Sequence, residues 1–209
     1  MKTKSAVTIL DYGVGNLGSI GNMFRRLGVS VEFARRAEDV LAAKRLVVPG
    51  VGAFDHGMES LLRLGLVDVI REFARSGSPL LGICLGMQLL GESSAEGKLS
   101  GLGLINAKCS RFVSSAEAPL LVPHMGWNTV EVVRSVSLFE GAGNEQQRFY
   151  FTHSYYMECD PAVVVGVTEY GAKFVSAVAD GNIMGVQFHP EKSHRFGMGM
   201  LQRFGAIPC

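Results

Sequence analysis

The 209-residue chain predicts an α/β fold: one domain with a mixed, largely parallel central sheet flanked by helices. Three observations lead there. The first half alternates short apolar runs with amphipathic stretches, the pattern of parallel strands covered by helices. The second half turns to closely spaced strand-like runs separated by Gly, Asn, Asp or Pro. Apolar residues make up 47% and charged residues 19%, which suits a buried core and not a disordered chain.

In chain order, "AVTIL" (6–10) predicts a buried strand. A glycine-rich turn follows, then a helix over 16–27 with Leu17, Ile20, Phe24 and Leu27 on one face. "VSVEFA" (29–34) and "RLVVP" (45–49) predict two further strands. A longer helix is expected over 55–76, where Met58, Leu61, Leu62, Val69, Ile70 and Phe73 recur at helical spacing despite Gly65. "PLLGIC" (79–84) is a fourth strand feeding a helix near Gly86. "NTVEVV", "QRFYFTHSYY", "AVVVGVTEY", "AKFVSAVA" and "IMGVQF" are expected as hairpins added to the sheet, with "ADGNI" as a hairpin turn. A closing helix spans 194–204.

The formal net charge of +1 gives no electrostatic footprint for nucleic acid or an anionic membrane. The apolar stretch after Lys2 and Lys4 ends at Asp11, too short for a signal-peptide core, and no segment approaches the roughly 18 apolar residues of a membrane span. A cytoplasmic protein is expected. Cys84, Cys109, Cys159 and Cys209 form no C-x-x-C pair and have no histidine at metal-ligand spacing, so free thiols are expected, with no metal and no cofactor.

"GICLG" (82–86) matches the nucleophile elbow G-x-S-x-G with cysteine for serine, in the required strand-then-helix setting. The elbow strains the nucleophile's backbone, and Gly82 and Gly86 remove side chains that would clash. Cys84 would then stand at a helix N-terminus, where the dipole favours a thiolate. A core cysteine between helix-packing glycines is the plainer reading. "QFHPE" (187–191) places His189 and Glu191 two apart, on one side of an extended backbone, with Pro190 keeping the histidine extended. The carboxylate can fix the imidazole's tautomer, as in a catalytic triad; alone, the stretch reads more readily as a surface histidine with a solvated glutamate, and it is the elbow that reverses this. "PGVGAF" (49–54) offers a glycine turn whose amide, with that of Leu85, could hold an oxyanion, or it is an ordinary strand-to-helix turn. Losing one such donor costs about 2.7–4 kcal/mol of barrier. "GVGNLG" (13–18), with Glu32 at the next strand, spells a dinucleotide-binding fingerprint, although Asp11 and Tyr12 intrude where a pyrophosphate would sit. A non-catalytic binding or regulatory module also stays open.

Taken together, these stretches resemble the class I glutamine amidotransferases, and more closely the glutaminase subunits of imidazole glycerol phosphate synthase. "DYGVGNLGS", "VPGVGAFDHGM", "GICLGMQLL", "VPHMGWN", "RFYFTHSYY" and "GVQFHPEKS" follow the family order. The resemblance implies a triad of Cys84, His189 and Glu191, an oxyanion hole at Gly52 and Leu85, and glutamine held by Gln88 and the backbone around His153, Ser154 and Tyr155. It also implies a separate partner, a (βα)8-barrel cyclase subunit, that takes the ammonia for histidine biosynthesis. Asn16, Trp127, Tyr150 and Lys192 would border that partner, while Trp127 reads from sequence alone equally as a core aromatic. Thr152 and the tail "KSHRFGMGMLQRF" resemble a paralogous branch that feeds ammonia to a synthetase aminating a surface-polysaccharide sugar.

Overall fold

The structure, a computed structural model, describes residues 6–114, 119–141 and 146–209, so Lys2 and Lys4 lie outside it. The parallel part holds β1 (Ala6–Leu10), α1 (Leu17–Arg26), β2 (Ser30–Ala34), α2 (Ala37–Leu41), β3 (Leu46–Val48), α3 (Phe54–Arg63), α4 (Val67–Arg75), β4 (Leu80–Ile83) and α5 (Leu85–Leu89). After β5 (Ser93–Ser94) and β6 (Ala107–Arg111) come β7 (His124–Val132), β8 (Gln147–His153), β9 (Tyr155–Cys159), β10 (Val164–Tyr170), β11 (Ala172–Asp180) and β12 (Ile183–Val186). α6 (His194–Ala206) closes the chain.

The sheet is mixed, as expected. In space β2, β1, β3, β4 and β12 run parallel, and β11, β10, β7 and β8 continue it antiparallel. The parallel strands are covered on both faces, so alternate residues feed two cores. Val7, Ile9, Val47 and Leu81 pack with Phe24, Met200, Leu201 and Phe204 from α1 and α6. Leu10, Leu46, Val48 and Leu80 pack with Phe54, Leu61, Ile70 and Phe73 from α3 and α4.

Two expectations need correction. The helix expected over 55–76 is two helices: Gly65 takes the left-handed conformation (φ +66°), its N–H bonds Leu62 O, and the N–H of Leu66 reaches back to Leu61 O, closing α3 in a glycine cap. The run "QRFYFTHSYY" is two strands: β8 pairs with β7, while β9 leaves after Ser154 to pair with β6 and β11. Alternating apolar residues continue through the break, so the pattern hides it. The short helix α2 carries no strong periodicity and was not expected.

β4 turns into α5 through Cys84 alone. A Cβ on residue 82 would lie 2.7 Å from Gly86 O and from Met87 N, and one on residue 86 would lie 1.8 Å from Val48 O. Both clashes are with backbone, which has nowhere to go. Gly86→Ala is therefore predicted to cost at least about 3 kcal/mol or to prevent folding; urea unfolding checks this, and near-wild-type stability would contradict it.

Candidate active site

Cys84 has φ 55° and ψ −111°, a conformation that costs a non-glycine residue roughly 1–3 kcal/mol. Strain of this kind survives only where the surroundings impose it. Here β4 holds one side and the glycine-mediated approach of α5 to β3 holds the other. The thiol is 6% exposed, at the floor of a cavity of about 410 Å³ that opens to solvent. Val51, Gly52, Leu85, Gln88, Ser154 and His189 are among its lining residues. A groove of about 700 Å³ along β7 and β10 is larger, but no residue of the expected triad lines it.

His189 arrives from the adjacent strand. Beyond β12 its N–H bonds Tyr150 O at 2.8 Å. The buried Ser193 hydroxyl donates to His189 O at 2.6 Å and accepts the Tyr150 N–H at 3.0 Å. That clamp ties the turn to β8. Glu191 does not lie along an extended strand as expected: Pro190–Lys192 form a 3-10 turn that folds the carboxylate back under the ring. Its Oε1 meets His189 Nδ1 at 2.8 Å, with both side chains almost wholly buried. Nδ1–H therefore faces the carboxylate, leaving Nε2, which is buried without a regular hydrogen bond, on the side of Cys84. Burial alone would lower the His189 pKa. Hydrogen bonding and charge from Cys84 and Glu191 outweigh it and raise the ring to about 10. The geometry therefore favours an imidazolium beside the sulfur.

The loop after β3 closes the third side. Tyr12, fully buried, donates its hydroxyl to Pro49 O at 2.6 Å. Burial, then the nearby Cys84 charge, pushes the phenol well above its ordinary range, so it stays a donor. Gly15 packs on the same loop, where an added Cβ would sit 3.3 Å from Gly50 N and from Pro49 Cβ. Gly15 of "GVGNLG" thus serves loop-on-loop packing, and Asn16 caps α1 by accepting the Ser19 N–H at 3.2 Å. Gly52 (φ +105°) and Leu85 both face the cavity of Cys84.

Gln88, one turn into α5, donates through Nε2 to Tyr155 O at 3.2 Å and to Gln187 Oε1 at 3.0 Å. The His153 ring is not free for a ligand. β7 and β8 set His124 opposite His153, and the rings meet Nδ1 to Nε2 at 3.0 Å. Asn128 Nδ2 reaches His124 Nε2 at 3.2 Å and His153 Nδ1 reaches Tyr155 O at 2.7 Å. With an amide at one end and a carbonyl at the other, both rings must be neutral and protonated on Nδ1. Burial lowers His124 to about 4 and His153 to about 3. The backbone of 153–155 still lines the cavity.

Among residues expected at a partner face, Trp127 is 40% exposed and stacked on His194 with centroids 5.5 Å apart, so it is not a core aromatic. It also meets Tyr150 edge-on, and Lys192 Nζ lies 5.5 Å over the Tyr150 ring. Asn16 is exposed at the start of α1. Sequence reasoning named Tyr12 only as an obstacle to a pyrophosphate, and it missed His124, Gln187 and Ser193, although each stands inside a quoted motif, and Glu96, which lines the cavity while accepting the Phe54 N–H at 2.8 Å. Glu96 lies in a polar loop with no pattern to mark it.

The glutamine amidotransferase class-I family matches residues 8–206. The chain is 48% identical over 200 residues to imidazole glycerol phosphate synthase subunit HisH 2 of Methanococcus maripaludis, covering 95% of this chain and 98% of that protein. It is 43% identical over 205 residues to the HisH subunit of Bdellovibrio bacteriovorus, covering 96% and 100%. To the chloroplastic imidazole glycerol phosphate synthase hisHF of Arabidopsis thaliana it is 42% identical over 204 residues, or 34% of that longer protein. A solved glutamine amidotransferase shares the fold with TM-score 0.73 at 20% identity, covering 96% of this chain and 99% of that one.

The buried histidines set the stability profile. His124 and His153 are depressed in the folded state, so their contribution is full above about pH 6.5 and is lost as pH falls toward 4 and 3. His189 is raised, so its contribution is full below about pH 6.5 and is lost as pH rises through 10. Stability is predicted to peak near pH 6.5 and to fall, by pH 5, on the order of 1–2 kcal/mol for each histidine of the pair. Urea unfolding at pH 5 and 7 checks it; a flat profile would contradict the neutral pair.

Proposed function

Because the chain belongs to the class-I glutamine amidotransferases, and within them to the HisH subunits of imidazole glycerol phosphate synthase, we propose that its chemistry is carried by Cys84, His189 and Glu191. It acts as the glutaminase of that complex, in the cytoplasm. One observation supports the assignment above others: a strained cysteine and a buried His–Glu pair share one cavity.

Cys84 Sγ attacks the carboxamide carbon of glutamine, and the carbonyl oxygen becomes an oxyanion held by the amides of Gly52 and Leu85. His189 Nε2–H protonates the leaving nitrogen as the C–N bond breaks, releasing ammonia and leaving a glutamyl thioester. Neutral His189 then takes a proton from water, the hydroxide adds to the thioester, and Cys84 leaves as glutamate is released. Glu191 keeps the ring oriented and supports its charge. Gln88 and the 153–155 backbone hold the substrate's head, and the Glu96 carboxylate is placed to receive its ammonium group.

Ammonia released into bulk water would protonate and lose its nucleophilicity, so the product must pass directly to an acceptor. The partner we propose is a (βα)8-barrel cyclase subunit, docked at the face bearing Trp127, Tyr150, Lys192 and Asn16. The Arabidopsis relative, an imidazole glycerol phosphate synthase of which this chain spans about a third, supports a synthase with a second functional part beyond this one.

Cys84→Ser is expected to lower glutamate release, measured with the cyclase partner present, by at least about a thousandfold without unfolding the chain. Retained turnover would end the proposal. Glu191→Gln should cost about a hundredfold or more by unsettling the imidazole, seen in kcat more than in KM. Co-purification with a sugar-modifying synthetase in place of a cyclase barrel would move the acceptor to the other pathway.

A further inference from the structure

Gln187 is wholly buried one strand away from the nucleophile, and its role is fixed by hydrogen-bond polarity. Gln88 presents an NH2 group to the carbonyl of Tyr155, so the same nitrogen must face an acceptor on Gln187, which is Oε1. The other half of the Gln187 amide is then NH2, and it points at Cys84 Sγ from 3.7 Å. Gln187 cannot flip without setting two donors against each other. Its backbone N–H is held by Ser176 O at 2.9 Å, so the side chain is anchored at both ends.

We propose that Gln187 is a dedicated donor to the sulfur of Cys84, held in orientation by Gln88, and that it sets the balance between thiolate population and thiolate reactivity. Its role in turnover rests on Cys84 being the nucleophile, but its effect on the sulfur does not. An N–H aimed at sulfur stabilises the anion over the thiol, so more thiolate exists at a given pH. The same bond draws charge from the sulfur, so each thiolate attacks more slowly, with a Brønsted dependence of about 0.4–0.5. Removing the donor must therefore move two quantities in opposite senses. A purely structural role would move neither in this way.

The test follows the rate of Cys84 with a dipyridyl disulfide against pH, in a Cys209→Ala background that removes the exposed thiol. Cys109 and Cys159 are raised by burial to about 12 and about 11 and stay silent at neutral pH. In Gln187→Met the apparent midpoint should rise by about one pH unit, and the limiting rate at high pH should increase by about threefold. Gln187→Glu keeps the acceptor for Gln88 but turns a carboxylate oxygen toward sulfur, and should raise the midpoint further; it serves if the Met variant fails to fold. A folded variant with an unchanged midpoint, or a raised midpoint with a slower limiting rate, would overturn the proposal. Because the readout is thiol reactivity, loss of glutaminase activity for any other reason leaves the result legible.

Discussion

No side chain fits between residue 86 and the carbonyl of Val48, and the active site follows from that one backbone contact. It brings the start of α5 against the end of β3, which forces the chain to turn within a single residue after β4. Cys84 absorbs the turn. The same approach sets the loop after β3 beside the sulfur: a Cβ on Gly50 would meet Leu85 Cβ at 2.8 Å and Tyr12 Oη at 2.9 Å. Strain at the cysteine, placement of the loop amides and packing of three strand ends are thus one geometric fact. The apolar cores on either face of the sheet supply the free energy that holds it.

Around that corner the structure separates charged from neutral histidine by what each ring faces. His189 faces a carboxylate on one side and a sulfur on the other, and is held protonated. His153 faces another ring and a carbonyl, and is held neutral although it is as deeply buried. Tyr155 O joins the two regions, since it accepts from both His153 and Gln88. The floor of the cavity is therefore a chain of groups with assigned donor and acceptor roles, with the reactive sulfur at its end.

The legible part of the sequence was whatever leaves a local signature. Gly82 marks the elbow because the clash it avoids, with Gly86 and Met87, lies within a few residues, whereas the clash that Gly86 avoids is with distant Val48 and only the motif's spacing marks it; alternation of apolar residues marks the parallel strands because both faces are buried. Glu191 was found by spacing, although a 3-10 turn and not an extended strand brings it to the ring. Pairings between distant segments left no such trace. Nothing in "VPHMGWN" shows that His124 will stand opposite His153, since that depends on the register of β7 against β8. Gly65 was visible, but its left-handed cap, which divides one expected helix into α3 and α4, depends on chain reversal that periodicity does not encode.

The central claim is that Cys84 becomes acylated by glutamine. Rapid acid quenching of the wild-type complex during turnover of labelled glutamine, followed by peptide mapping of the label, tests it most directly. The account predicts a glutamyl group on the peptide containing Cys84, released by hydroxylamine and absent in Cys84→Ser. Label on another residue, or turnover of glutamine with no covalent species, would contradict it.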